Sequence, residues 1–533
     1  MISRIRIQGY RIFRDFELEP DPKINLIVGP NESGKSTLIE AVGLALSGRV
    51  GGRYAAEELN PYWFNMELVD EFLADRAGGG THAWPEILIE LFLEDRDALQ
   101  KLCGANNSSV PTKACPGVSL RVAPNSDYSE ELDVWLAAPE ALLPVEFYRV
   151  EWRTFADEVI TNRPRLLSTA TIDSRTIRSS SGVDYHLRNI LRDGLSRQER
   201  AAISLSYRKV KSSMSGGALK SVNDRMASVG AALHDEPISL AMDQSARTSW
   251  EGAVTPHVND VPFSMSGQGQ QAAIKIALAM DESADRASFV LVEEPENYLT
   301  HTSLARLVSR MERLRGDDQQ LFITTHSSFV ANRFGLSGVH LLTKSSAGRL
   351  SDLSEETERY FQKLPGYDTL RIVLASKVVL VEGPSDEIIF ERLFRDAHSA
   401  EPMDVGIDVI SVGGLAFRRC LELCALLDKP AAALRDNDGQ EPTEIETPLA
   451  DLLCSGKREV FIGAPEDGRT LEPQLIHFND RDTLRSILGL SNRADLEKWM
   501  NRKKTEASIR IAESDECVVA PEYIAAAIDF IHG

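Results

Sequence analysis

The sequence is poor in the features that mark secreted, membrane-spanning and nucleic-acid-coating proteins. Six cysteines among 533 residues form no paired framework of the kind that stabilises small secreted domains. No uncharged apolar run approaches the roughly 18–20 residues that a membrane span needs, and the first five residues carry no apolar signal region. We therefore expect a protein of the reducing cytoplasm, without a membrane partner.

Positive charge is scarce as well. The chain has 59 Lys and Arg against 80 Asp and Glu, a net charge of −21, which argues against a general basic field that coats nucleic acid. One stretch reverses this balance: between Thr161 and Arg225, thirteen basic residues stand against five acids. This stretch is polar and helix-like, and two interpretations stay open, a nucleic-acid contact and a solvated surface facing an acidic partner domain.

The composition is otherwise that of a globular protein, with 43% hydrophobic and 26% charged residues, and the length predicts about three domains. Apolar runs of strand length alternate with helical segments, which predicts an α/β fold. The predicted strands are Ile24–Val28, Glu86–Glu94, Phe289–Val292, Leu321–Thr325, Val378–Val381, Val409–Val412 and Ala431–Leu434, and a helix is predicted over Leu299–Leu314. The last three strands predict a second, smaller α/β domain.

A phosphate-binding loop follows the first of these strands. Gly29–Ser36 reads Gly-Pro-Asn-Glu-Ser-Gly-Lys-Ser, which matches G-x-x-x-x-G-K-[ST], a loop whose backbone N–H groups surround phosphates at the start of a helix. Lys35 would reach the β- and γ-phosphates, and Ser36 would bind Mg²⁺. We predict ATP as the ligand, held by Asn31, Gly34, Lys35, Ser36 and Thr37.

Two carboxylates end a later strand. Glu293 would orient magnesium-bound water, and Glu294 could polarise the water that attacks the γ-phosphate, because phosphoryl transfer depends on positioning and charge neutralisation. His326 follows another strand, where it could contact the γ-phosphate. A solvated loop and a structural histidine are the plain alternatives.

These motifs resemble the ATP-binding-cassette ATPase heads of the SMC-like group. The resemblance includes the glycine-rich segment Ser264–Gln271, Ser-Met-Ser-Gly-Gln-Gly-Gln-Gln, which lies ahead of a helix. This segment departs from the common signature sequence Leu-Ser-Gly-Gly-Gln. The resemblance implies that Ser266, Gly267 and Gly269 of one subunit close over ATP held by the phosphate loop of another. The protein is therefore expected to form a homodimer or a higher homo-oligomer.

A second acidic constellation lies in the C-terminal part. Glu382 ends a strand and Asp386 opens the next helix, while Asp436 and Asp438 are spaced so that an extended backbone would point both the same way. Carboxylates gathered in this way suit Mg²⁺, and two such ions could cleave a phosphodiester. For Asp-x-Asp-Gly alone, a plain turn is the simpler interpretation.

Glu-Gly-x-x-Asp followed by Asp-x-Asp resembles the Toprim domain of topoisomerases, primases and certain nucleases. An ABC-type head followed by a Toprim domain is similar to the overcoming-lysogenization-defect (OLD) family of ATP-dependent endonucleases, which includes the nuclease subunit of the Gabija anti-phage system. The resemblance implies that Glu472 is a further metal ligand and that Lys504 stabilises the pentavalent phosphate.

The predicted organisation is an ABC/SMC-like α/β ATPase head with a helical dimerisation insert, followed by a Toprim α/β domain. We place the two parts of the ATPase at residues 1–155 and 256–370, the basic insert at 156–255 and the Toprim domain at 371–533.

The leading hypothesis is an ATP-regulated, Mg²⁺- or Mn²⁺-dependent endonuclease that cuts DNA in anti-phage defence, with a helicase-like partner subunit as a further expectation. Two alternatives stay open: a Toprim nuclease that acts on RNA such as tRNA, and a non-catalytic ATP-driven clamp. A strand-passing topoisomerase is less favoured, because no tyrosine nucleophile domain is recognisable.

Overall fold

The computed structural model describes most of the chain. The described residues are 1–50, 53–78, 83–110, 112–137, 142–161, 164–173, 196–230, 239–243, 245, 250, 257–280, 288–314, 316–334, 338–343, 346–349, 352–363, 367–413 and 416–533. The chain divides into two compact units. One comprises Met1–Ser3, Ile39–Trp63 and Arg76–Ile323, and the other comprises Arg4–Leu38, Phe64–Asp75 and Thr324–Gly533.

The described chain contains both helices and strands, so the predicted α/β class is confirmed. The strands are β1 Ile2–Tyr10, β2 Phe13–Leu18, β3 Ile24–Val28, β4 Arg49–Val50, β5 Arg53–Tyr54, β6 Ile87–Leu93, β7 Cys103–Gly104, β8 Cys115–Pro124, β9 Tyr148–Thr154, β10 Thr169–Asp173, β11 His257–Val258, β12 Val261–Pro262, β13 Phe289–Glu293, β14 Gln320–Thr324, β15 Val339–Leu342, β16 Ala347–Arg349, β17 Lys377–Val381, β18 Ile407–Ser411, β19 Ala431–Arg435 and β20 Arg458–Ile462. The helices are α1 Lys35–Ser47, α2 Met66–Ala77, α3 Ser129–Ala137, α4 Arg197–Gly216, α5 Lys220–Gly230, α6 Gln268–Met280, α7 His301–Leu314, α8 Ser328–Phe334, α9 Glu355–Lys363, α10 Tyr367–Leu374, α11 Pro384–His398, α12 Phe417–Leu426, α13 Pro442–Glu446, α14 Leu471–Phe478, α15 Arg481–Leu488, α16 Leu496–Arg502, α17 Lys504–Glu513 and α18 Glu522–His532.

The first unit contains an antiparallel sheet and a parallel strand pair. Strands β6, β8 and β9 pair antiparallel in that order, and β7 also pairs with β8. Strand β10 runs parallel to β13, whose residues are all buried. The strand that ends in the paired carboxylates is therefore a core element, as its apolar run predicts.

The second unit begins with the antiparallel hairpin of β1 and β2. Strand β3 pairs parallel with β15, and β15 pairs antiparallel with β16. At the end of β14, the N–H of Thr325 donates to the carbonyl of Ile27 in β3 at 3.2 Å. The residue before His326 thus lies beside the strand that leads into the phosphate loop.

The C-terminal part of this unit has its own four-stranded sheet, ordered β18, β17, β19, β20 with all neighbours parallel. Its helices bury one continuous apolar cluster, which includes Val379, Phe390, Phe394, Leu475 and Ile528. Because β17 and β19 are parallel neighbours, their carboxyl ends lie at one edge of the sheet. The residues that directly follow the two strands therefore lie at this edge.

The polar stretch after Thr161 is not helical throughout, which corrects the sequence-based expectation. Thr169–Asp173 forms strand β10, because its β-branched residues pair with buried β13. Helices α4 and α5 do form further along, while residues 174–195 lie outside the described residues. The predicted domain boundaries stay predictions.

None of the six cysteines forms a disulfide, as their number and spacing predict. Within the described ranges, no helix combines the length and the hydropathy required to cross a membrane.

Candidate nuclease and nucleotide sites

The acidic site lies at the carboxyl edge of the four-stranded sheet. Glu382 directly follows β17 and Asp436 directly follows β19, and the Asp436 N–H donates to Glu382 Oε1 at 3.2 Å. Asp386 lies in the first turn of α11, where its Oδ2 accepts the Gly383 N–H at 3.0 Å. The strand ends and this helix start therefore bring three of the predicted carboxylates together.

Burial and mutual repulsion perturb these acids strongly. Burial, with the charges of Asp386 and Glu382, raises the pKa of Asp436 to about 8. Burial, with Glu382 and Glu472, raises the pKa of Asp386 to about 6. Burial also raises the pKa of Glu382, against the opposing effect of the Asp436 N–H bond and Arg435. Perturbed acids that share one edge of a sheet are typical of functional sites.

Asp438 occupies a different position from the one its spacing predicts. The strand ends at Arg435, and Asp438 has a φ of 50°, so the expected extended backbone is wrong at this residue. The side chain of Asp438 is exposed, although it still contributes to the repulsion at Glu382. Asp436 and Asp438 are thus unequal members of the motif.

The residue between these two acids anchors the turn. Asn437 is fully buried, and its Nδ2 donates to the carbonyls of Gly463 at 2.9 Å and Gly468 at 2.8 Å. Its Oδ1 accepts the Gly439 N–H at 2.8 Å. These three bonds account for the abrupt turn after β19.

Glu472 and Lys504 form an ion pair beside the acids. Lys504 Nζ lies 3.0 Å from Glu472 Oε2, which also accepts the Thr470 hydroxyl at 3.0 Å. Burial alone would lower the pKa of Lys504, but Glu472, Asp436 and Asp386 outweigh it and raise this pKa. The two residues that were predicted from the family resemblance therefore reach the same cluster.

Sequence reasoning missed two neighbours of this site. Arg435 Nε lies 3.8 Å from Glu382 Oε1, and Tyr523 of α18 lines a small cavity with Asp386 and Asp436. Arg435 directly precedes Asp436, which is a local signal that could have been used. No local signal marks Tyr523, because α18 reaches the site only through the packing of the domain.

The predicted phosphate loop leads directly into α1. Lys35 begins α1, and its Nζ donates to the carbonyls of Gly29 at 2.9 Å and Pro30 at 2.8 Å. Gly34 has a φ of 96°, and a Cβ at this position would lie 2.6 Å from the Phe13 ring. Only glycine fits here, since both the dihedral and the contact exclude a side chain. Asn31 is exposed, and Ser36 and Thr37 are partly buried.

The second set of nucleotide-site predictions lies in the other unit. Glu293 is 7% exposed, and Glu294 follows it with a φ of 44°. The predicted signature precedes and begins α6, where Gly267 leaves open space and a Cβ on Gly269 would lie 2.7 Å from the Tyr298 carbonyl. Gln271 donates to the Ser266 carbonyl at 2.8 Å. The signature therefore packs against the turn that follows the paired carboxylates.

Three family models match the chain. Residues 4–71 match an AAA domain, residues 248–332 match an AAA domain described as a putative AbiEii toxin of a type IV toxin–antitoxin system, and residues 373–438 match the overcoming lysogenization defect protein-like TOPRIM domain. These matches cover the phosphate loop, the paired carboxylates and the first acids of the C-terminal sheet.

Curated relatives include nucleases. The OLD nuclease of Thermus scotoductus is 23% identical in an alignment of 503 residues that covers 87% of this chain and 90% of that protein. Endonuclease GajA of Bacillus cereus is 25% identical over 173 residues, 31% of this chain and 29% of that protein.

Among solved structures, the C-terminal region of the Burkholderia pseudomallei OLD protein is 22% identical over a match that covers 30% of this chain and 97% of that chain, with a TM-score of 0.25. The sequence relatives and domain matches agree with the predicted order of an ATPase and a Toprim domain. The chain is similar to the OLD nucleases over most of its length, and its matches to an AAA domain and to an OLD-like TOPRIM domain support an ATP-binding nuclease.

Proposed function

We propose that this protein is an endonuclease that hydrolyses DNA phosphodiester bonds at the TOPRIM site with Mg²⁺ or Mn²⁺, under the control of ATP. The observation that carries the proposal is the convergence of Glu382, Asp386 and Asp436 at one sheet edge, next to the Glu472–Lys504 ion pair. Acids that raise one another's pKa favour a bound cation, because a cation relieves their repulsion.

The donor set fits a hard divalent metal chemically. Glu382, Asp386 and Asp436 would hold it, with Asp438 and Glu472 as further predicted ligands, since Mg²⁺ prefers carboxylate oxygens. Within the described residues, no group of three donors is close enough to hold an ion without rearrangement. When bound, the metal would activate water and neutralise charge on the phosphate.

The chain's own residues supply the rest of the site. Glu472 is 3% exposed and accepts bonds from Lys504 and Thr470, so its carboxylate is held in place. Lys504 remains about half exposed, and it can donate to a phosphate oxygen while Glu472 orients it. A cation in this position stabilises the added negative charge of a pentavalent phosphate.

ATP is proposed to act through the paired motifs of the ATPase domain. Lys35 and Ser36 would bind the phosphates and Mg²⁺, Glu293 would orient magnesium-bound water, and Glu294 and His326 would act at the γ-phosphate. The signature at Ser266, Gly267 and Gly269 would close over the nucleotide of a second copy. We therefore propose a homodimer or higher homo-oligomer, with α4 and α5 in the insert as a further contact between copies.

From the resemblance to the OLD family, we propose defence against phage as the biological role and a helicase-like subunit as a partner. The basic insert is proposed to bind DNA. This contact is local, because the net charge of the whole chain is −21.

The test is cleavage of nucleic acid by the full-length protein. Supercoiled DNA, linear DNA and tRNA are incubated with Mg²⁺ or Mn²⁺, with and without ATP. Replacing both acids of the motif, Asp436→Ala with Asp438→Ala, should reduce DNA cleavage about a hundredfold or more while ATP binding persists. Lys35→Ala should instead remove nucleotide binding.

A matched double variant, Asp515→Ala with Glu497→Ala, removes the same charge at exposed positions of the domain and should cut normally. Unchanged nicking by the Asp436/Asp438 variant would refute the site. Cleavage of tRNA alone would select the RNA nuclease, and no metal-dependent cleavage of any substrate would favour the clamp.

A further inference from the structure

The segment after β13 is a tight turn with Glu294 as its first residue. Glu294, Pro295, Glu296 and Asn297 occupy the four positions, and the Asn297 N–H donates to the Glu294 carbonyl at 3.0 Å. Proline at the second position favours such a turn because its ring fixes φ near −65°. The turn begins from an unusual backbone, since Glu294 has a φ of 44°.

Asn297 contacts Glu294 a second time through its side chain. Its Nδ2 donates to Glu294 Oε2 at 2.7 Å, a short distance for an amide donor and in the range of charge-assisted bonds. One residue thus holds both the backbone and the carboxylate of Glu294. The left-handed backbone of Glu294 is strained in a non-glycine residue, and this double attachment helps to maintain it.

We propose that Asn297 is a positioning residue for ATP hydrolysis, one that fixes the plane of the Glu294 carboxylate for its action on the attacking water. An amide donor on Oε2 restricts rotation of the carboxylate, and it thereby sets the direction of the lone pairs on Oε1. The inference rests on the proposed role of Glu294. A base must lie within hydrogen-bond reach of its proton with the right orientation, and small misplacements reduce the rate strongly.

The turn and the donor can be separated by substitution. Asn297→Asp has nearly the same shape and retains the backbone N–H of the turn, but it replaces the amide donor with a second carboxylate. Asn297→Ala removes the side chain altogether. A residue that served only the turn would tolerate aspartate, because aspartate is accepted in turns as readily as asparagine.

The experiment measures ATP binding and steady-state ATP hydrolysis by the full-length protein. Asn297→Asp and Asn297→Ala should each lower kcat about tenfold to a hundredfold, with aspartate no better than alanine and the Kd for ATP within about twofold of the parent. Asn501→Ala, which removes an exposed amide from α16, should have no effect. Thermal unfolding of each variant reports whether the fold is retained, and the alanine variant serves if the aspartate variant is unfolded.

Glu294→Gln separates the two levels of the proposal. Loss of hydrolysis in Glu294→Gln with a normal kcat in both Asn297 variants would overturn the positioning role and leave the role of Glu294 intact. Normal hydrolysis in Glu294→Gln would refute the proposed role of Glu294 itself. A higher kcat in the Asn297 variants would also overturn the inference, because Asn297 would then restrain the carboxylate.

Discussion

At the scale of single residues, the two aspartates of the Asp436-x-Asp438 motif differ although their sequence context is shared. Asp436 is held among other acids at the sheet edge, while Asp438 lies on the exposed side of the turn. Asn437 accounts for the different environments of the two aspartates, because its three hydrogen bonds hold it in the interior and turn the chain between them. Of the two aspartates, Asp436 is therefore the one whose charged form is disfavoured by burial and by neighbouring acids.

This arrangement predicts a pH dependence of stability in the metal-free protein. The pKa of Asp436 in the folded state is about 8, far above its ordinary value, so the unfolded chain binds fewer protons between about pH 4 and 8 and stability falls as pH rises. Asp436→Asn removes this loss. Its advantage in unfolding free energy should grow from about pH 4 to about 8, reach about 1 kcal/mol or more, and then level off.

Chemical denaturation in EDTA at several pH values measures the effect, and Asp438→Asn is the control because that side chain is exposed. A constant difference between Asp436→Asn and the parent across this pH range would contradict the prediction. Added Mg²⁺ should stabilise the parent more than Asp436→Asn.

At the scale of elements, one buried arginine anchors the helix that carries Lys504. Arg392 is 6% exposed, and it donates across the C-terminal end of α17. Its Nη1 bonds to the carbonyls of Ile511 at 2.6 Å, Ala512 at 3.3 Å and Ser514, and its Nη2 bonds to that of Glu516 at 3.0 Å. A cation at a helix C-terminus satisfies carbonyls that have no partner within the helix.

Arg392→Lys should therefore loosen α17 and reduce cleavage without touching the acids. Lysine cannot reproduce the planar fork, and we expect a loss of about 2–3 kcal/mol in unfolding free energy together with a lower cleavage rate. Arg481→Lys is the control, since Arg481 is exposed on α15. Equal stability of the two variants in urea denaturation would count against the anchoring role.

Most elements were predictable because the sequence carries a local signal for them. Val378–Val381 and Ala431–Leu434 are apolar runs, and the structure has strands at Lys377–Val381 and Ala431–Arg435. Arg392 and Tyr523 carried no such signal, because their partners lie more than a hundred residues away along the chain or reach the site only by packing. Strand β10 was missed because its polar surroundings masked its pairing with β13.

At the scale of the whole molecule, positive charge is concentrated although the net charge is −21. Helix α4 exposes Arg197, Arg208 and Lys209, while Lys211 is buried and donates to the Asp243 carbonyl at 2.8 Å. Acids outnumber basic residues in the chain as a whole, so the exposed basic side chains of α4 attract phosphate only at short range.

Replacing these three exposed residues by glutamine should weaken DNA binding across sequences. Each lost phosphate contact lowers the slope of log K against log salt by about 0.9, so the triple variant should reduce this slope by about two to three. The control variant carries glutamine at Lys23, Lys101 and Lys113, which are exposed elsewhere. An unchanged slope in the α4 variant would assign this surface to another role.

The Lys35 contacts bear on how nucleotide enters the phosphate loop. Its ammonium group already donates to the carbonyls of Gly29 and Pro30, so we propose that ATP binding is an exchange in which phosphate oxygens displace these backbone acceptors. The binding free energy would then reflect the difference between an anionic acceptor and two neutral carbonyls, and it would increase with the negative charge of the ligand. We therefore expect the loop to favour a triphosphate over its hydrolysis product before any second subunit takes part.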